Sequence, residues 1–325
     1  MNVNQDAGPL GIVLSTVTDG SVEEFVELGR LAEAHGYAQV LVNEGRGDAI
    51  AVAQAIAAAT SRVTVGTNIA NIYFRHPFLC AASARTLAEV ARGRTLLGLG
   101  MSHRGMLESL GIDMGDARGA LERYVGEVVA TLAGEHGSGL LRAPVSRYPL
   151  PVYVAGNTVE SAAVAGRVGA GLMPFLTPRS HLPVLLDAAH AAAAPRGLAA
   201  FGCVMSIPTF LSDDTAAARS AARYNLAFFS QLPNYRRQWR RAGWRAAMDA
   251  LAAHWRGGGS RREAAALVPD DLVDEVCVLG DASTCRAQLA AFRAAGATVP
   301  VLAVSPVNED RHGATRRAVE ALAPG

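Results

Sequence analysis

The feature that most constrains this chain is a repeat of pattern rather than of residues. Short apolar runs alternate with segments whose apolar residues recur at helical spacing. LGIVL (10–14), YAQVLVN (37–43), RVTVGTN (62–68), RTLLGLG (94–100) and LPVYVAG (150–156) read as strands. They are apolar on both faces, as parallel strands covered by helices on one side and a core on the other must be. Helices are expected over 21–36, 48–60, 77–91, 116–134 and 158–169. Ser21 with Glu24 three residues on is a capping-box start, Asp48 is a second cap, and Pro77 suits a first helical position. Three more strands follow, GLMPFLT (171–177), FGCVMSIPTF (201–210) and VPVLAVSP (299–306), with helices from Arg179 and over 283–296. Eight strands alternating with helices predict an α/β chain, a closed (β/α)8 TIM barrel spanning 1–325 as one domain. A doubly wound sheet is the competing architecture. Half of the 325 residues are apolar, which suffices for either core.

Between the seventh strand and the last helix lies an insertion of about 213–280 that reads as mainly helical. It holds all three Trp, in NYRRQWRRAGWRAAMDALAAHWR (234–256), beside a cluster of Arg. Arg with aromatics is a nucleic-acid signal. Here Trp244, Met248, Leu251 and Trp255 fall on one helical face, so a helix pair covering the barrel mouth or a dimer face is preferred. Arg236, Arg237, Arg240 or Arg241 could alternatively meet an anionic cofactor tail. The net charge of +1 gives no bulk attraction to nucleic acid or to an anionic membrane, and neither is expected as a partner.

Other classes fall away on composition. All 30 basic residues are Arg, so no Schiff-base, pyridoxal or P-loop lysine exists. Cys80, Cys203, Cys277 and Cys285 form no CxxC and have no His at ligand spacing; buried thiols in a reducing compartment are expected, and no metal site. MNVNQDAGPLG lacks a charged leader and an apolar stretch. The longest uncharged run, 197–212, is shorter than the roughly 20 residues of a membrane helix, so a cytoplasmic protein is expected.

The strand ends carry the chemistry. Gly98 and Gly100 in LGLGMSH do not match a dinucleotide turn, because His103 stands where the third glycine belongs and the next long helix starts near Asp116. At the end of a barrel strand they would let a ring approach closely, with Met101, Ser102 and His103 on the C-terminal rim. Other rims carry Glu44, Asn68 with Ile69, and Gly156-Asn157-Thr158. Asn157 with Glu160 three residues on reads as a plain capping box or as a helix N-terminus offering amides to a phosphate. His76, in RHP before a helix, reads as exposed or capping.

Taken together, GTNIANIYFRHP, RTLAEVARGRTLLGLGMSH, LAGE and PVYVAGN resemble the luciferase-like superfamily of flavin-dependent barrels, and within it the branch that uses the deazaflavin coenzyme F420. The resemblance runs over about 10–176 and resumes at 271–304. It implies a luciferase-like (β/α)8 barrel with its insertion after strand seven, a homodimer, and hydride transfer between F420 and a small organic substrate. It further implies a bulge with a cis peptide at Asn68–Ile69 behind the ring, ring and ribityl contacts from Met101, Ser102 and His103, and phosphate contacts from Ala155, Gly156, Asn157 and Thr158. The chain departs from many members of the family after strand two, where Asn43-Glu44-Gly45 stands in place of Asp-His or Glu-His, although some relatives of the branch also have Glu followed by small residues.

Glu44 and His103 are therefore the candidate proton carriers. A carboxyl beside an apolar ring is expected to bind its proton more tightly, and an imidazole titrates near neutrality. Glu44 as a cofactor anchor or a salt-bridge partner of Arg46, and His103 as a ribityl contact, are the plainer readings. An FMN-dependent monooxygenase using reduced flavin and oxygen is the alternative activity, and a catalytically inactive ligand-binding barrel a second alternative.

Overall fold

A computed structural model describes residues 8–17, 20–135, 137–138, 141–142, 145–193 and 202–324. Residues 1–7 and 194–201, which hold parts of the N-terminal and 197–212 readings, lie outside the described residues, as does Phe201 of the expected seventh strand.

Each apolar run that is bracketed by cap residues becomes a strand followed by a helix. The chain begins β1 (Gly11–Ser15), α1 (Val22–Ala34), β2 (Gln39–Asn43), α2 (Ala49–Ala58), β3 (Thr64–Asn71), α3 (Pro77–Val90) and β4 (Thr95–Gly100). Ser21 and Glu24 form the expected reciprocal box and Asp48 caps α2. The His76 ring accepts from the Phe78 N–H and caps α3. Next come α4 (Arg104–Ser109), α5 (Ala117–Leu132) and a small antiparallel ribbon of β5 (Gly137–Ser138) and β6 (Leu141–Arg142). The chain continues with β7 (Val152–Val154), α6 (Val159–Arg167), β8 (Gly171–Leu172), α7 (Leu182–Ala192) and β9 (Val204–Leu211). Five helices fill the insertion: α8 (Thr215–Ser230), α9 (Pro233–Arg241), α10 (Arg245–Arg256), α11 (Arg261–Ala266) and α12 (Asp270–Val276). The chain ends β10 (Val278–Gly280), α13 (Ala282–Ala294), β11 (Val299–Val304) and α14 (Arg311–Ala321).

Among the described residues nine strands form one sheet in the order β10-β9-β11-β1-β2-β3-β4-β7-β8, and every pairing in it is parallel. The ninth is a correction to the sequence reading. Val278–Gly280 ends the insertion as a strand, paired beside Thr209–Leu211 of β9, where only helix was expected. Two isolated bridges, Leu172 to Cys203 and Phe175 to Ser206, bring β8 and the loop after it to β9. The sheet curls strongly. The Asn68 amide of β3 donates to Ser206 Oγ of β9 at 2.7 Å, although β11, β1 and β2 stand between them in the sheet. In a flat sheet with about 4.8 Å per strand, the two would be roughly 19 Å apart.

Side-chain alternation fills both faces. On β2, Val40 and Val42 join the large cluster beneath the helices, while Leu41 points the other way. Leu41 meets Leu96, Tyr153, Met173, Val204 and Val301 in a cluster inside the curl, drawn from β2, β4, β7, β9, β11 and the segment after β8. Gly98 makes room there: a β-carbon on it would press on the Thr67 carbonyl and come within 2.6 Å of Met173 Sδ. The glycine pair thus serves protein packing, and Gly100 is closed off by Ile69 and Ala155 in the same way. The insertion has its own core around Trp239, Met248 and Leu251, with Trp244 and Trp255 packed against it, as the one-faced pattern indicates.

Candidate active site

The C-terminal ends of β2, β3, β4 and β7 bring the candidate residues to one end of the sheet. β3 is the organising element. Its register with β4 shifts between Thr67, opposite Leu97, and Ala70, opposite Leu99. The skipped pair is Asn68 and Ile69, and the bond between them is cis. The Thr67 hydroxyl donates to the Gly98 carbonyl at 2.8 Å and accepts from the Gly98 N–H at 3.0 Å, so the ladder stays satisfied beside the bulge.

Glu44, at the end of β2, is turned toward that bulge. Its N–H donates to the Ile69 carbonyl at 3.1 Å. Its carboxylate accepts from the Asn71 N–H at 2.6 Å, the Ala49 N–H at 3.3 Å, Arg75 Nη1 at 3.0 Å, and Arg75 Nη2. Both side chains are nearly sealed, at 3% exposure for Glu44 and 9% for Arg75. Burial pulls the Arg75 guanidinium down, but the hydrogen bond and charge of Glu44 outweigh it and push it above its ordinary value. Glu44 is thus bonded as an acceptor on both oxygens. The guanidinium that grips it belongs to Arg75. Arg75 is the site residue the sequence reading missed; its only trace was the RHP string.

On β4 the chain leaves the strand through Met101, and Ser102 adopts φ +60°, a left-handed conformation uncommon for a residue with a β-carbon. His103 follows and opens α4, a six-residue helix that the sequence reading did not include. The imidazole makes no capping bond. It is largely buried, burial lowers its pKa, and Nδ1 is enclosed without a hydrogen-bond partner. A ring of the insertion closes over it: Tyr235 of α9 lies 5.7 Å away at 59°. Tyr235 in turn packs edge-on against Phe175 and Phe229. Helix α9 is fixed by the Leu176 carbonyl, which accepts from both Gln238 Nε2 and Trp239 Nε1 at 3.0 Å.

After β7, Ala155 and Gly156 lead to Asn157 and Thr158. Of the two readings of this stretch, the box of Asn157 with Glu160 does not form. Thr158 caps α6 with Ser161, and Asn157 Oδ1 instead accepts from the Phe175 N–H at 2.9 Å. A cavity of about 230 Å³ opens here, lined by Asn157, Thr158, Glu160, His181, Gln238 and Arg241. Of the insertion arginines singled out in the sequence, Arg241 reaches it, paired with Glu160 at 3.0 Å, while Arg240 pairs with Asp249. The Glu160 carboxyl is held at about 2 by its own backbone N–H, against some burial, with help from Arg241 and Thr158. Gln238 Oε1 is buried without a partner.

These groups fit a flat ring with a polar edge at the bulge end. Ile69 and Met101 offer apolar surface, and the enclosed His103 Nδ1 calls for a polar partner. Arg241 and the start of α6 supply a cation and amides for an anionic group, although Glu160 holds them in this structure. Among the described residues no group of three or more His, Cys, Asp or Glu is placed to hold a metal ion, and no helix is long and apolar enough to cross a membrane. All four cysteines are buried, with thiol pKa values raised by burial.

A curled parallel sheet with its polar constellation at the strands' C-terminal ends defines an α/β protein. The luciferase-like monooxygenase family model matches residues 9–299, and the chain belongs to that family. It is similar to a Mycobacterium tuberculosis protein named Putative coenzyme F420-dependent oxidoreductase, with 27% identity over 89% of this chain and 93% of that one. The solved coenzyme F420-dependent tetrahydromethanopterin reductase of Methanopyrus kandleri superposes with a TM-score of 0.78 at 20% identity, covering 98% and 99% of the two chains. The oxygenating constituent of 3,6-diketocamphane monooxygenase from Pseudomonas putida, solved with FMN, has a TM-score of 0.65 at 16% identity over 98% of each chain.

Proposed function

We propose that this chain is an F420-dependent oxidoreductase, built on a closed (β/α)8 barrel of one domain, that moves a hydride between the deazaflavin and a small organic substrate. The observation that carries the reading is the enclosed, unpartnered Nδ1 of His103 at the rim of β4, the strand paired with the bulged β3. When bound, the deazaflavin supplies a two-electron hydride carrier, and the protein's part is orientation and proton management. Asn68, Ile69 and Met101 would back and edge the ring, with Ser102 and His103 at its polar side. Ala155, Gly156, Asn157 and Thr158, joined by Arg241, would hold the anionic end once Glu160 gives way.

His103 is the proton carrier of this reading. Burial keeps the ring neutral at neutral pH. A neutral imidazole accepts the proton of a substrate hydroxyl or amine as the neighbouring carbon loses its hydride, and returns it in the reverse direction. Tyr235 keeps water from the ring on the insertion side. The reading carries with it a small-molecule substrate, a homodimer and a cytoplasmic location. The FMN-dependent monooxygenase is the competing reading, since the fold is shared by an FMN-bound enzyme. The sequence relative is named for F420, which favours the deazaflavin. The test is turnover: reduced F420 is oxidised in the presence of a panel of C=C, C=N and C=O acceptors, and oxidised F420 with alcohols. Turnover with F420 and none with reduced FMN and oxygen supports the proposal; the opposite result, or turnover with neither, contradicts it.

A further inference from the structure

The four bonds on the Glu44 carboxylate tie the end of β2 to the start of α2 and to the chain beyond Thr67 of β3, where the β2–β3 register stops. Its backbone N–H holds the Ile69 carbonyl from one side of the bulge, and Oε2 holds the Asn71 N–H from the other. Oε1 holds the Ala49 N–H at the start of α2. Arg75 grips both oxygens and adds Asp48 at 3.2 Å, whose own Oδ1 accepts from the Ile50 and Ala51 N–H groups of α2. The Arg75 carbonyl is fixed in turn by the Tyr124 hydroxyl of α5 at 3.0 Å. A sealed ion pair of this kind is stable only while both partners are present.

We infer that Glu44 and Arg75 act as one positioning unit that fixes the Asn68–Asn71 bulge, so that Glu44 governs the ring site through the backbone and not by giving up a proton. The inference rests on the proposed deazaflavin reading for its consequence, but the clamp itself is a property of the free protein. A carboxylate that accepts two backbone N–H groups and a forked guanidinium has no lone pair left for a substrate proton. The acidic side chain is committed to the scaffold, and proton transfer falls to His103.

Two readouts separate the clamp from the cofactor. Amide hydrogen exchange of the 67–74 segment is measured on wild type, Glu44→Gln, Arg75→Met and the double variant without added cofactor, and F420 binding is titrated on each. Each single variant is expected to speed exchange in 67–74 about tenfold or more and to weaken F420 binding by a similar factor, with the double variant no worse than the worse single, as for a coupled pair. Arg75→Lys keeps the charge and loses the fork, so it reports the same loosening if a harsher variant does not fold. In the variants that turn over, the pH profile keeps its wild-type shape. Unchanged exchange in 67–74 overturns the inference. So does a Glu44→Gln protein that binds F420 like wild type yet loses one limb of its pH profile. Wild type that fails to bind F420 while the variants still loosen 67–74 overturns the proposed function and leaves the clamp standing.

Discussion

At the level of single residues, two titratable groups at the rims of β2 and β4 have opposite fates. Glu44 is paired and saturated; His103 is enclosed and its Nδ1 unpaired. Removing Arg75 leaves the Glu44 charge buried without its forked counter-ion, so Arg75→Met is expected to cost about 3–5 kcal/mol in urea unfolding. His103 gives a pH signature of defined sign. Its folded pKa lies below the ordinary 6.5, so the unfolded chain binds a proton that the native chain refuses. Stability then falls as pH drops through 6.5 and below, since the native state is favoured only while the ring stays neutral. His103→Gln should flatten that part of the profile of Tm against pH, and should lower kcat by roughly 10²–10⁴. An unaltered kcat would remove His103 from the chemistry. The sequence exposed both residues as rim candidates, because strand ends are visible in it. It did not expose the partner of Glu44: Glu44 meets Arg75 across 31 residues, and no local spacing signals such a pair.

Among the helices and strands, local rules hold until a long-range partner competes. The Ser21–Glu24 box is legible because both bonds are made within one turn. The Asn157–Glu160 box, one of two readings of that stretch, is not formed because Asn157 is drawn off by the Phe175 N–H, 18 residues away. Val278–Gly280 escaped notice because three residues carry too little periodicity to stand out from a helical insertion. Glu33, in the last turn of α1, shows how an element is tied to the next strand. Its carboxylate accepts from the N–H groups of Ser61, Arg62 and Val63 at 2.9, 2.6 and 2.9 Å. The little burial it has opposes the charge, but those donors prevail and hold its pKa at about 2 against an ordinary 4.5. A depressed carboxyl contributes above its unfolded pKa and loses that contribution as pH falls toward the folded one. Glu33→Gln should therefore cost about 1 kcal/mol at pH 7, discounted for exposure, and the gap to wild type should close as pH falls from 4.5 toward 2. Gly98→Ala should cost about 1–3 kcal/mol by crowding Thr67 and Met173. A neutral result there would mean that the inside of the curl is looser than its contacts indicate.

Across the molecule as a whole, strand count and alternation made the α/β class and the parallel sheet legible, since eight two-sided apolar runs separated by helices leave few architectures. The order of the sheet and the bridges from β8 to β9 depend on contacts between distant runs, which a linear reading supplies only by counting. The insertion was legible as a packed face, and its aromatic cover over His103 was not, because Tyr235 lies outside the stripe that revealed the helix. One relative is named for F420 and one structure of the same fold was solved with FMN, so the proposal rests on a choice between these two molecules. That choice is made by a fluorescence titration of the apoprotein with F420 and, separately, with FMN. The deazaflavin reading predicts saturable F420 binding at least about tenfold tighter than FMN, a difference of about 1.4 kcal/mol. Preference for FMN, or saturation with neither, would contradict it.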